Sequence, residues 1–91
     1  MSEKPYTTEE RETAQAILRH LIKYPEAKDT VEGIAQWWLE EKKGGRMNVK
    51  RAVSLLLSQG VVAETRRKGL RPYYKLRPRQ RAAALRLLRE L

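Results

Sequence analysis

The sequence predicts a small, mostly helical α+β fold: three helices, a two-stranded β-hairpin and an additional C-terminal helix. Three observations carry that expectation. Apolar residues recur at helical spacing in three blocks before Gly60. After Gly60 the pattern changes to a short β-branched segment, VVAET, and an alternating aromatic one, PYYKL, with a turn around Gly69 between them. The segment RQRAAALRLLREL is then made almost wholly of strong helix formers.

The first helix is expected over residues 8–23. Thr7 and Glu10 have capping-box spacing. Ala14, Ile17, Leu18, Leu21 and Ile22 follow on one face, and Pro25 ends the segment by pushing Tyr24 towards extended geometry. The second helix is expected from Asp29, which with Glu32 has the spacing of an N-cap and its third helical residue. Val31, Ile34, Ala35 and Trp38 form its inward stripe, with Leu39 beside it, and Gly44 and Gly45 stop it after Glu40, Glu41, Lys42 and Lys43. Adjacent helical residues point about 100° apart. Trp38 therefore belongs to the core stripe, and Trp37 is either half-covered by the C-terminal helix, the favoured reading, or exposed as a partner surface.

The third helix is expected from Asn48, as N-cap, to Gln59, with Gly60 just past its end. Val49, Ala52, Val53, Leu56 and Leu57 make its buried face, and Lys50, Arg51, Ser54 and Ser58 the face left over. In the hairpin, Tyr74 and Leu76 should point one way and Tyr73 and Lys75 the other. Pro78 suits the first turn of the last helix. There Ala84, Leu85, Leu88 and Leu91 share one face and Arg79, Arg86 and Arg89 another, with Leu87 off the main stripe. Residues 1–77 thus form one unit, and residues 78–91 a helix that packs on it or joins two copies.

Ninety-one residues make one small core. There is no cysteine, which removes disulfides and thiolate metal sites. The first sixteen residues hold no apolar run of the secretory kind, and no stretch approaches the about 20 apolar residues that span a bilayer. A cytoplasmic protein is expected, and a nucleoid-associated one if the source is bacterial. The charge is asymmetric. Residues 1–41 carry five Lys/Arg and nine Asp/Glu, a net of −4; residues 42–91 carry fifteen and two, a net of +13; together they give the +9 of the whole chain. From Arg66 to Arg81 there are eight cations and no acid. Such a distribution suits a polyanion.

The order of elements, with TVEGIAQWWL, then NVKRAVSLLLSQGVVAE, then RRKGLRPYYKL, resembles the winged helix-turn-helix domain of many small bacterial transcription regulators. The segment AVSLLLSQGVV leading into a basic hairpin that ends in YYKL is the most specific part. The likeness covers about residues 12–77. It departs from the family in the link from Trp38 to Val49, LEEKKGGRMN, which is longer and more charged than the compact turn usual there. The resemblance implies sequence-specific binding of double-stranded DNA, with the third helix in the major groove and the hairpin, the wing, on the backbone or minor groove. Carried onto this chain, the recognition-helix candidates are Arg46, Asn48, Lys50, Arg51 and Ser54, and the wing candidates are Arg66, Arg67, Lys68 and Arg71. A homodimer joined through Leu85, Leu88 and Leu91 would suit a palindromic site. No cofactor, small-molecule effector or membrane partner is implied.

Catalysis is not expected. One histidine and no cysteine leave no parts for a metal site or a nucleophilic triad, and the glutamates have no accompanying base or phosphate loop. His20 sits one residue off the first apolar stripe and is expected at the surface. The alternative is an adaptor of the same fold that binds protein rather than DNA. RNA binding through the tyrosines is a weaker third reading.

Overall fold

The structure, a computed structural model, describes residues 6–38 and 45–91. Helix α1 runs Thr8–Lys23. The capping box closes it at the start: Thr7 Oγ1 accepts from the Glu10 N–H, and Glu10 Oε1 accepts from the Thr7 N–H, each at 3.0 Å. Strand β1 (Lys28–Asp29) comes next, then α2 (Val31–Gly33), which leads into a π-helical segment (Ile34–Trp38). Helix α3 runs Gly45–Ser58, β2 Val62–Thr65, β3 Tyr73–Leu76 and α4 Arg81–Glu90. The architecture is α+β, with a three-stranded antiparallel sheet of order β1-β3-β2. Among the described residues no helix is long and apolar enough to cross a membrane.

The core fills the space between the helices and one face of the sheet. Ile17, Leu18 and Leu21 of α1 pack with Val49, Ala52, Leu55 and Leu56 of α3, and Ile34 closes one end. Val61, Val62, Tyr74 and Leu76 bring the sheet onto this cluster, and Ala84 and Leu87 bring α4. The register explains the alternation. Val62 pairs with Leu76 and Glu64 with Tyr74, so Tyr74 and Leu76 turn inward while Lys75 stays exposed. Gly60, with φ at +78°, lets the chain leave α3 and enter β2 directly.

Four expectations are corrected. The cap of α2 is Thr30, whose Oγ1 accepts the Gly33 N–H at 3.1 Å; Asp29 instead accepts the Thr30 N–H at 2.8 Å. The Asp29 carboxylate lies where a Cβ at position 33 would stand, so glycine is what allows this close turn. The helix then widens into the π segment, Ile34–Trp38, and the two indoles still part company. Trp38 is half-buried and stacks on His20 with ring centroids 4.3 Å apart, whereas Trp37 is 72% exposed. The expected end of this helix, from Leu39 to Gly44, lies outside the described residues. In α3, Gly45 opens the helix rather than stopping its predecessor, and Asn48 is an interior residue rather than a cap.

The fourth correction concerns α4. A turn at residues 77–80, with the Gln80 N–H on the Arg77 carbonyl at 3.2 Å and Arg79 at φ +65°, precedes the helix and leaves Pro78 outside it. The inward stripe is Ala84, Leu87, Leu88 and Leu91, the i, i+3, i+4, i+7 set. Leu87 is buried and Leu85 is 38% exposed, the reverse of the expected assignment.

Candidate nucleic-acid interface

The outward face of α3 carries Met47, Lys50 and Ser54 at i, i+3 and i+7 spacing, all exposed. Lys50 has no ion-pair partner among the described residues. Across from it rise the start of α2 and the base of the β2–β3 hairpin. Together Val31, Glu32, Met47, Lys50, Arg66, Arg71, Pro72 and Tyr74 line an open groove of about 560 Å³. Three cations and one carboxylate share that space, drawn from three elements far apart in sequence. Val31, Met47, Pro72 and Tyr74 supply its apolar lining.

The sheet holds the hairpin cations in different ways. Arg66 Nε donates to Glu64 Oε1 at 3.2 Å, and the Tyr74 hydroxyl donates to Glu64 Oε2 at 2.9 Å. Burial, and then the Glu64 carboxylate, push the Tyr74 phenol up to about 12. Arg71 pairs with Glu32 and so ties the far arm of the hairpin to α2. Arg67 lies 6.0 Å from the centre of the Tyr73 ring, and Lys28 of β1 approaches the same ring at 5.3 Å. Burial would raise the Tyr73 phenol, but the Thr65 hydroxyl and the two cations outweigh it and lower it. Lys68, Gly69 and Leu70 form an exposed tip.

On the other side of α3 the expected site divides. Asn48 Nδ2 lies 3.4 Å from Glu9 Oε1. Arg51 Nε lies 3.3 Å from Glu10 Oε2, and its guanidinium sits 4.8 Å over the Tyr6 ring. The Thr7 N–H and, after it, Arg51 hold the Glu10 carboxyl below its ordinary range despite an opposing desolvation effect. Lys50 and Arg51 are neighbours on a helix and cannot face the same way. Lys50 turns to the groove, and Arg51 and Asn48 turn to the acidic start of α1. Arg46 lies in the first turn of α3, with its side chain outside the described residues. Of the three leucines expected at a dimer contact, Leu85 is exposed, while Leu88 and Leu91 pack against the chain's own core.

The groove also contains residues that sequence reasoning did not assign to it. Met47 shares the i, i+3 spacing of Lys50, a signal that was present in the sequence. Glu32 and the Tyr74 hydroxyl carried no such signal, because their role depends on α2 and the hairpin meeting in space. Among the described residues no group of three or more His, Asp or Glu is placed to hold a metal ion. The arrangement offers cations on a concave face. No family model, curated protein or solved structure matches the chain.

Proposed function

We propose that the chain is a winged helix-turn-helix domain that binds double-stranded DNA as a small transcription regulator. The N-terminal half of α3 faces the major groove, and the hairpin faces the adjacent backbone or minor groove. The observation that carries this reading is the joining of Lys50, Arg66 and Arg71 in one open groove with the wing tip beyond it. The order α1, β1, α2, α3, β2, β3 agrees with the family resemblance. Phosphate oxygens would relieve the mutual repulsion of the hairpin cations, and each phosphate neutralised releases counterions. Lys50 would read guanine N7 and O6, and Ser54 is short enough to admit or contact a phosphate. Asn48 and Arg51 are assigned to holding α1 against α3, and Arg46 remains a contact from the first turn. A second copy would join through Leu85 of α4. A protein-binding adaptor is the second reading, favoured by the exposure of Trp37.

Fluorescence anisotropy with labelled duplexes over a salt series tests the proposal. Binding should weaken steeply with salt. The Arg67→Ala/Lys68→Ala variant should weaken every duplex alike and flatten the slope by about 2. Lys50→Ala should instead relax sequence preference. Absence of binding at low salt, in a chain of net charge +9, would overturn the DNA reading and point to Trp37 as a protein contact.

A further inference from the structure

Leu70 stands at the tip of the hairpin, 65% exposed, in the only apolar side chain of the run from Arg66 to Arg71. An exposed leucine alone says little. This one is set by rigid local geometry. Its N–H donates to the Arg67 carbonyl at 3.0 Å, closing a four-residue turn in which Gly69 takes φ +79°. Pro72 fixes the backbone two residues on. The Arg71–Glu32 pair and the contact of Arg67 with the Tyr73 ring brace the two arms of the loop. Arg66, Arg67, Lys68 and Arg71 flank the leucine in the sequence, so a polyanion drawn to the tip meets an apolar side chain that has no hydrogen bond to lose.

We infer that Leu70 is a minor-groove wedge, an inference that rests on the DNA reading above. The wing cations bring the tip to the minor groove, and the leucine enters between two stacked base pairs. Partial unstacking at that step kinks the duplex towards its major groove, by an angle in the general range of about 20–90° for such wedges. A kink of that sense folds the duplex onto α3, so the wedge and the helix act on the same DNA from successive grooves. Pyrimidine–purine steps unstack most readily. Leu70 therefore confers preference for a TA or CA/TG step at the wing position without a hydrogen bond to any base. The ligand of this site is a deformable base step.

The test uses duplexes labelled at both ends with a fluorescence donor and acceptor. One duplex carries a central TA step, and the other has only G·C pairs there. Wild-type protein should shorten the end-to-end distance of the TA duplex and prefer it by about tenfold. Leu70→Ala should bind both duplexes equally, leave them straight and keep the wild-type salt slope, because no cation is removed. Leu70→Met, which retains a long apolar side chain, should restore the bend. The same bend with Leu70→Ala, or a straight duplex under bound wild-type protein, overturns the wedge while the DNA reading stands. Absence of binding to any duplex overturns both. Leu70 lies outside the core, so a thermal melt of each variant should match the wild type.

Discussion

Tyr74→Phe tests the link between the core and the wing. Tyr74 is 9% exposed and packs with Leu76 on the inner face of the sheet, while its hydroxyl donates to Glu64 at 2.9 Å. Phenylalanine keeps the packing and removes the hydrogen bond. A bond to a charged acceptor contributes about 1.5–3 kcal/mol. Glu64 keeps Arg66 and some water after the change, which places the loss near the lower end, about 2 kcal/mol. For a chain of this length that corresponds to a fall in Tm of about 8–16 °C. The pH dependence gives an independent check. A phenol raised from 10 to about 12 favours its neutral form in the folded state, by about 3 kcal/mol. That stability is fully present below pH 10 and is lost as pH rises through 12. Circular dichroism melts from pH 7 to 11.5 should therefore show an alkaline decline in the wild type that is much shallower in Tyr74→Phe. Equal Tm at neutral pH and identical alkaline limbs would refute the reasoning. The same variant frees Glu64 Oε2, so Arg66 should be less well ordered.

Three further outcomes are expected. Arg51→Ala should lower Tm by a few degrees, its effect should shrink in a Glu10→Gln background, and it should leave DNA sequence preference unchanged, since Arg51 serves Glu10 and Tyr6. Gly60→Ala should cost about 1 kcal/mol in urea unfolding, all of it conformational, because the backbone is at φ +78° and an added Cβ meets nothing within 4 Å. His20, stacked on Trp38, has its imidazole pKa lowered by desolvation and by Lys23. Its contribution is present above about pH 6.5 and is lost as pH falls, so melts at pH 7.5 and pH 5 should differ less in His20→Gln than in the wild type.

The elements that could be read from the sequence are those whose signals are local. Both ends of α1 are marked within four residues, by Thr7 with Glu10 and by Tyr24 with Pro25, and the helix has the expected bounds. The hairpin followed from Gly69 and the alternation at Tyr74 and Leu76. The start of α3 was hidden because Asn48 is a good cap in isolation. In the fold its side chain meets Glu9, thirty-nine residues away, and the helix extends past it to Gly45. The π segment was hidden because a stripe assigned at 3.6 residues per turn assumes a uniform helix, and whether the C-terminal helix covers Trp37 depends on tertiary packing that no local pattern records. In the interface, the residue types were legible and their partners were not. Lys50 and Arg51 look alike in sequence, yet one faces the groove and the other anchors α1. That division depends on how α1 packs against α3, which no local pattern records.

Backbone amide NMR during titration with an unlabelled duplex tests the central claim most directly. If α3 and the wing form one DNA-binding face, shifts should concentrate at Met47, Lys50, Ser54 and residues 66–71, and recede together as salt is raised. Shifts centred on Trp37 and Tyr24, or no shifts at low salt, would contradict it.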